Sequence, residues 1–228
     1  MIKLENIAKT YSNGVNALYD INLEINEGDF VYIIGPTGCG KSTMIKLLDG
    51  EEIPTTGKVI VNKINVGKLR HSQVPKYRRN IGVVFQDYRL LEQKKVQENI
   101  AFAMECVGAG KQKIRKRVRE VLALVGLSDK ARAYPTELSG GQQQRVAIAR
   151  AIANSPKVLI ADEPTGNLDA GKANEIIQLL NRINREENTT IIVVTHDMNL
   201  VKTYPHRTLV LDSGHLVADL EGGLNNVQ

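Results

Sequence analysis

The chain of 228 residues contains only two cysteines, Cys39 and Cys106, and no apolar run long enough to span a bilayer. Two cysteines can neither build a disulfide framework nor match a zinc-ligand spacing, which favours a reducing compartment. A membrane-spanning helix needs roughly 18 consecutive apolar residues, whereas residues 191–194 form a run of strand length only. Residues 1–6 show no apolar secretory segment, so we expect a cytoplasmic protein.

The sequence also lacks internal repeats and low-complexity tracts. Its hydrophobic fraction of 42% and charged fraction of 24% are ordinary for a globular domain. The length fits one substantial domain with room for an inserted subdomain. We expect a single domain over residues 1–222 and a flexible polar tail at 223–228.

Positive charge is concentrated in the middle of the chain. Residues 63–119 contain fifteen Lys and Arg against four Asp and Glu, and the densest part is 111–119. This pattern is compatible with a solvated helix face. It is also compatible with a surface that attracts anionic lipid headgroups or nucleic acid.

Short continuous apolar runs indicate strands that are buried on both faces of a parallel sheet. Helical patterns at 41–48 and 170–187 lie between some of them, so we predict an α/β fold. The predicted strands are 31–34, 81–85, 158–161, 190–195 and 208–211.

Two regions depart from this α/β pattern. Residues 1–30 and 57–66 alternate as in an antiparallel sheet and predict a small β subdomain. Residues 87–150 are mostly helical without a strand pattern and predict an inserted helical subdomain, with Gln86 at its hinge. The core would then comprise 1–86, including the β subdomain, and 151–222.

Residues 35–42 match the phosphate-loop pattern G-x-x-x-x-G-K-[ST] between a strand and a helix. Glycines are needed there because consecutive backbone N–H groups must approach phosphate oxygens closely. We expect Lys41 to neutralise the β- and γ-phosphates and Ser42 to bind Mg²⁺. The predicted nucleotide-binding residues of this segment are Gly35, Pro36, Thr37, Gly38, Cys39, Gly40, Lys41, Ser42 and Thr43.

Asp162 and Glu163 follow the apolar run 158–161. They therefore lie at the carboxyl edge of the predicted parallel sheet, where such folds bind their ligands. Asp162 is suited to hold Mg²⁺, and Glu163 is suited to orient or deprotonate an attacking water.

A second glycine-rich helix start lies at residues 138–142. Ser139 and Gln142 have the spacing of a capping box, and the glycines between them leave backbone N–H groups available to an anion. Because the phosphate loop already supplies one anion site, we expect this helix start to serve the nucleotide of another subunit.

Taken together, these motifs closely resemble the nucleotide-binding domains of ABC-type ATPases, over nearly the whole chain. The resemblance implies a P-loop NTPase fold of the ABC type, hydrolysis of ATP with Mg²⁺, and a head-to-tail homodimer. By the same resemblance, the family signature that contacts the partner's nucleotide consists of Leu138, Ser139, Gly140, Gly141 and Gln142.

The resemblance also assigns single residues. Gln86 matches the Q-loop, Asp169 the D-loop, His196 the switch histidine and Tyr11 the aromatic that stacks on adenine. The implied catalytic set is Glu163, His196, Gln86 and Lys41, and the implied metal ligands are Ser42, Gln86 and Asp162.

Several ABC subgroups do not fit. The chain has room for one domain, with no long coiled coil and no zinc cysteines, which argues against nucleic acid as a partner. Residues 83–91, 96–105 and 114–118 are similar to ATPase subunits of bacterial cell-division complexes. That resemblance implies an integral membrane partner, indirect control of a cell-wall hydrolase, and a place on the cytoplasmic face of the membrane at the septum.

Residues 161–169 are shared with a wider group of ABC ATPases. The alternative is therefore the ATPase subunit of a lipoprotein-release or macrolide exporter. Leu90 and Leu91 follow the predicted hinge and are candidates for docking a helix of the membrane partner. A place in the core of the helical subdomain is an equal alternative for both.

Overall fold

The computed structural model describes residues 2–224, which form two β-sheets and the helices packed on them. The strands are β1 Ile2–Thr10, β2 Asn16–Ile25, β3 Phe30–Ile34, β4 Thr56–Val61, β5 Ile64–Asn65, β6 Ile81–Val84, β7 Val158–Asp162, β8 Thr190–Val194, β9 Arg207–Asp212 and β10 His215–Leu220. The α-helices are α1 Lys41–Leu48, α2 Val74–Arg78, α3 Val96–Glu105, α4 Lys111–Leu124, α5 Gly140–Ile152, α6 Ala170–Glu187 and α7 Met198–Thr203. Short 3-10 turns cover Val66–Lys68, His71–Gln73, Ser128–Lys130 and Pro135–Glu137. None of the helices in residues 2–224 combines the length and apolar character that crossing a membrane requires.

The larger sheet has six strands in the order β10-β9-β3-β8-β7-β6. The pairs β9–β3, β3–β8, β8–β7 and β7–β6 are parallel, and among the six described strands of this sheet only β10 runs antiparallel to its neighbour. The five predicted strands correspond to β3, β6, β7, β8 and β9, so the α/β prediction is confirmed.

Both faces of this sheet are buried, as the apolar runs predict. In β7, Leu159 and Ala161 join the core cluster formed with α3 to α6, whereas Val158 and Ile160 join the cluster on the opposite face with α1. Successive side chains of a strand point to opposite faces, so a strand covered on both sides is apolar throughout. Helices α1 and α6 occupy the predicted segments.

The second sheet is antiparallel, in the order β2-β1-β4-β5. Its buried residues, such as Leu4 and Ile21, pack in the same cluster as α1 and the second face of the parallel sheet. This arrangement confirms the predicted antiparallel β region.

Residues 87–150 contain α3, α4 and most of α5, and no strand lies in this stretch of the described chain. Helix α5 continues to Ile152, and its end packs against β6, where a Cβ on Gly82 would lie 2.8 Å from the Ala151 carbonyl oxygen. The predicted boundary at residue 150 thus falls inside a helix. The division into core and helical subdomain stays a prediction.

Strand β10 is the main element that the apolar runs do not indicate. Its residues alternate between exposed and half-buried, because it lies at the edge of the sheet. The predicted tail begins at residue 223, and its residues 225–228 lie outside the described part of the chain. Leu224 is partly buried and packs against the larger core cluster.

Candidate functional site

The phosphate-loop segment connects β3 to α1, and its glycines adopt backbone angles that other residues avoid. Gly35 and Gly40 have φ of 149° and 107°. A Cβ on Gly35 would lie 2.0 Å from the Leu211 carbonyl oxygen, and one on Gly40 would lie 2.6 Å from that of Ala17. Gly40 precedes α1 without a side-chain cap, so the first N–H groups of the helix are available to an anion.

Lys41 lies across this loop. Its Nζ donates hydrogen bonds to the carbonyl oxygens of Gly35 at 2.7 Å and Pro36 at 2.8 Å. Thr37 and Gly38 are exposed in the same loop, as is the Ser42 side chain at the start of α1. The ammonium group, the exposed hydroxyl and the helix start therefore occupy one open face, which suits a phosphate chain.

Cys39 and Thr43 differ from the other predicted nucleotide-binding residues of this segment because their side chains point inward. The Cys39 thiol is free and only 3% of the residue is exposed, so a contribution to nucleotide binding would come from its backbone. Its carbonyl oxygen accepts a hydrogen bond from the Gly214 N–H at 3.1 Å. Thr43 is buried, and its Oγ1 lies 3.2 Å from the Tyr11 hydroxyl, which places Tyr11 beside the first turn of α1.

Asp162 ends β7 and Glu163 follows it directly, as predicted, at the carboxyl edge of the parallel sheet. Burial and the neighbouring Glu163 raise the pKa of the Asp162 carboxyl, while Lys41 and Arg89 act to lower it. The opposing contributions show that two cations lie within electrostatic reach of this acid. Arg89 was not predicted from any motif; its guanidinium stacks 3.8 Å from the centre of the Phe85 ring.

Glu163 and His196 are brought together from the ends of β7 and β8. The Glu163 Oε1 lies 2.9 Å from His196 Nδ1. The Glu163 side chain is 17% exposed and that of His196 is 72% exposed. The other carboxylate oxygen, Oε2, is buried without a hydrogen-bond partner in the described part of the molecule, so its capacity to accept a hydrogen bond is unused in this conformation.

Gln86 follows β6 and lies beside the turn after Glu163. Its carbonyl oxygen accepts a hydrogen bond from Asn167 Nδ2 at 3.1 Å. A Cβ on Gly166 would lie 3.0 Å from Gln86 Nε2. Gln86, Glu163 and His196 therefore belong to one cluster at the carboxyl edge of the sheet.

The predicted signature segment is the start of α5. Ser139 Oγ accepts a hydrogen bond from the Gln142 N–H at 3.4 Å, and Gln142 Oε1 accepts one from the Ser139 N–H at 3.0 Å. The capping box predicted from the sequence is thus present. Gly140 lies against the Tyr88 hydroxyl and Gly141 against Lys172, while Leu138 of this segment is buried.

Asp169 is exposed and caps helix α6, a role that the sequence analysis did not assign. Its Oδ1 accepts a hydrogen bond from the Lys172 N–H at 2.9 Å, and its Oδ2 lies 2.8 Å from Lys172 Nζ. The hydrogen bond and charge of Lys172 lower the pKa of the Asp169 carboxyl. An aspartate placed directly before a helix is a common N-cap, so this role could have been found from sequence.

Comparison with known proteins decides the family. The sequence profile described as "ABC transporter" matches residues 18–166, which is more than half of the chain. The chain belongs to the ABC transporter family. It is an ABC-type ATPase.

Two relatives and one solved structure illustrate the similarity. The "Cell division ATP-binding protein FtsE" of Mycobacterium tuberculosis is 52% identical over 98% of this chain and 97% of its own length. The "Methionine import ATP-binding protein MetN" of Helicobacter pylori is 45% identical over 95% of this chain and 66% of its own length. The dimeric post-hydrolysis structure of the ATP-binding cassette MJ0796 with ADP and Pi superposes with a TM-score of 0.86 at 39% identity, covering 97% of this chain and 98% of that one.

Proposed function

We propose that this protein is the FtsE-type ATPase subunit of a bacterial cell-division complex, with the integral membrane protein FtsX as its partner. The observation that carries the proposal is the alignment with proteins named FtsE, which spans 98% of this chain. On this proposal the protein acts at the cytoplasmic face of the cell membrane, at the division septum. It passes ATP-driven movement to FtsX, which controls a cell-wall hydrolase.

In the proposed site, Lys41 and the N–H groups of the loop hold the phosphates of ATP. Glu163 orients the attacking water and accepts its proton, and the buried, unpartnered Oε2 leaves one carboxylate oxygen uncommitted to the fold. His196 holds the Glu163 carboxylate through Oε1 and reaches the γ-phosphate from the exposed side. Tyr11 stacks on the adenine beside the start of α1.

The oxygen donors at this edge of the sheet fit Mg²⁺. The proposed ligands are the Ser42 hydroxyl, the Gln86 amide oxygen and the Asp162 carboxylate, and oxygen is the ligand atom that Mg²⁺ prefers. Burial and Glu163 raise the pKa of Asp162, so a cation there would offset the cost of its ionised form. When bound, Mg²⁺ supplies neutralisation of the phosphate charge during transfer.

The proposal includes a head-to-tail homodimer in which the α5 start of one chain faces the nucleotide of the other. Ser139, Gly140 and Gly141 present the positive end of a 13-residue helix. The dimeric form of the solved cassette MJ0796 supports a homodimer. Asp169 would then lie near the interface, where the resemblance places the D-loop.

The docking site proposed for FtsX is a groove of about 320 Å³ between β6 and α3. Phe102 is 40% exposed and, with Leu91, gives the groove an apolar lining, while Arg78, Arg79 and Arg150 line it with positive charge.

The structure separates the two leucines that were candidates for docking. Leu90 packs against the larger core cluster, whereas Leu91 lines the groove. We therefore retain Leu91 as the docking candidate.

The test is co-purification of FtsX with this protein from cells that express both at native level. Replacing Leu91 and Phe102 by Asp should abolish recovery of FtsX but leave the basal ATPase rate within about twofold, because both side chains line the groove and neither belongs to the proposed nucleotide site. Val217→Asp, an exposed apolar residue of β10, is the matched control. Recovery of a different membrane protein by the wild-type chain would refute the proposal.

A transport ATPase is the second candidate. It is favoured by the 45% identity to MetN, whose name describes methionine import, and by the residues 161–169 shared with exporter ATPases. Depletion of the protein distinguishes the two: a division function predicts filamentous cells, whereas a transport function predicts loss of solute movement with normal septation.

A further inference from the structure

A second groove lies on the other side of α3, between α3 and α4. It has a volume of about 560 Å³. Its floor is apolar and is formed by Ala101, Ile114, Val118, Leu122 and Ala131. The arrangement is a cleft between two helices with an apolar floor, the kind of surface to which an amphipathic helix can dock.

Three exposed arginines, Arg115, Arg119 and Arg132, line the same groove. Within residues 2–224, none of their guanidinium groups makes an ion pair or a hydrogen bond. Glu98 is the one carboxylate among the lining residues of the described groove, and its Oε2 already accepts a hydrogen bond from the Lys95 N–H. The groove therefore carries uncompensated positive charge over an apolar floor.

Arg117, on the same basic helix, behaves differently. Its NH2 donates to the Ile152 carbonyl oxygen at 3.0 Å and lies 2.7 Å from Glu187 Oε2. This arginine ties α4 to α5 and α6, so it serves the fold. Arg117 thus differs from Arg115 and Arg119 of the same helix, whose guanidinium groups have no partner in the described residues.

We infer that this groove docks an acidic, amphipathic helix of the cytoplasmic part of the membrane partner. The inference rests on the proposed function for the identity of that partner. Carboxylates on such a helix would pair with Arg115, Arg119 and Arg132, and its apolar side chains would cover the floor. The groove adjoins the FtsX docking groove across α3, since Ala101 lines one and Phe102 lines the other.

Helix docking accounts for the shape of the site better than a lipid surface does. A bilayer of anionic lipid is flat and would meet the arginines at the rim while leaving the recessed Ile114 and Val118 uncovered. A helix fills the cleft and satisfies the charges together, because planar guanidinium groups bind carboxylates in a bidentate manner.

Site-specific photo-cross-linking in the full complex tests the inference. A photoreactive amino acid is placed at Ala101 in one protein and at Phe102 in another, each co-expressed with the membrane partner. We expect both positions to cross-link to that partner. In an Arg115→Glu/Arg119→Glu background, the yield at Ala101 should fall by about tenfold or more, because attraction is replaced by repulsion.

The matched control is Lys113→Glu/Lys116→Glu, which changes the charge of α4 by the same amount. Lys113 and Lys116 line a different cavity, on the other side of α4. We expect this variant to keep the Ala101 cross-link. The basal ATPase rate of both variants serves to verify that the chain is folded.

Each remaining outcome overturns a specific statement. A cross-link at Phe102 without one at Ala101 refutes helix docking in the second groove and leaves the proposed function intact. The absence of a cross-link at both positions refutes helix docking in the second groove and the proposed function. An Ala101 cross-link that survives Arg115→Glu/Arg119→Glu refutes the acidic character of the helix. If the Arg115→Glu/Arg119→Glu variant loses binding to phosphatidylglycerol vesicles while its Ala101 cross-link is unchanged, the arginines bind lipid and the inference is refuted.

Discussion

Glu163 has a left-handed backbone, with φ of 46°. For a residue other than glycine this conformation costs about 1–3 kcal/mol and is often found at functional sites. Two backbone hydrogen bonds hold it: the Glu163 N–H donates to Val194 O at 2.9 Å, and the Gly166 N–H donates to Glu163 O at 3.1 Å. The strained turn fixes the carboxylate beside His196.

Replacing Glu163 by Gln should keep ATP binding and lower the turnover number by about 10²- to 10⁴-fold, the usual contribution of a general base. The amide keeps the shape of the side chain but cannot accept the proton. Steady-state phosphate release measures the loss, and size-exclusion chromatography with ATP should show a persistent dimer. Glu186→Gln, an exposed glutamate of α6, should behave as wild type.

Replacing Asp162 by Asn should abolish turnover and raise the melting temperature of the nucleotide-free protein at pH 7. A raised pKa means that the folded state disfavours the ionised carboxyl, which is the form present at neutral pH. The neutral amide removes this cost. The gain should shrink as the pH falls toward 3.8, the ordinary value for aspartate. A melting temperature below that of wild type at pH 7 would contradict the prediction.

At the level of single residues, motif spacing predicted where the side chains lie in the fold better than the direction in which they point. Lys41, Asp162 and Glu163 lie where their motifs indicated, because a strand end and a helix start fix the backbone there. Spacing could not predict that Cys39 points into the core, since a loop residue faces inward or outward according to what packs beneath it. Arg89 belongs to no motif, and its effect on the Asp162 carboxyl is electrostatic, so the spacing of the two residues in the sequence does not reveal it.

Among the elements, α5 is joined to the segment after Gln86 by Arg150. The NH1 and NH2 of Arg150 donate to the carbonyl oxygens of Arg89 at 2.6 Å and Tyr88 at 3.0 Å. Both acceptor residues have left-handed backbones, with φ of 49° and 58°. The far end of α5 thus holds the turn that follows Gln86.

Replacing Arg150 by Lys should lower the turnover number by about tenfold and leave the Michaelis constant for ATP nearly unchanged. A lysine carries the charge but cannot donate to both carbonyls at once, and a hydrogen bond to a charged group is worth about 1.5–3 kcal/mol. Measuring ATPase rate against ATP concentration separates the two constants. Arg145→Lys, on the same helix but bonded to Val125 O and Glu175, is the control.

Elements with strong periodicity were predicted from the sequence, and short or half-exposed ones were not. The segments of α1 and α6 were identified because one apolar face repeats over whole turns. Helices α2 and α7 have five and six residues, which is too short for periodicity to be visible. Strand β10 was missed because only one of its faces is partly buried.

At the scale of the whole molecule, the proposed active centre is divided between two copies of the chain. Lys41→Ala should inactivate the site formed by its own loop, and Ser139→Arg should inactivate the site on the partner's nucleotide. When the two variants are mixed, a mixed dimer has one site with both defects and one with neither. Activity should rise to about one quarter of wild type, since half of the dimers are mixed.

The control is a Lys41→Ala/Ser139→Arg double variant mixed with wild-type protein, in which both sites of each mixed dimer carry one defect. Those dimers should be inactive. Cross-linking should show that mixed dimers form in the equal mixture of the two single variants. If that mixture nevertheless stays inactive, the model of two independent sites, each shared between two chains, is contradicted.

The contacts of the phosphate loop have a consequence for biosynthesis. Gly35 and Cys39 contact Leu211 and Gly214, which are made about 175 residues later in translation. The loop therefore cannot reach its nucleotide-binding shape on the ribosome until the last strand pair has emerged. We expect stalled nascent chains that end before residue 205 to be washed from immobilised ATP, and released full-length chains to be retained.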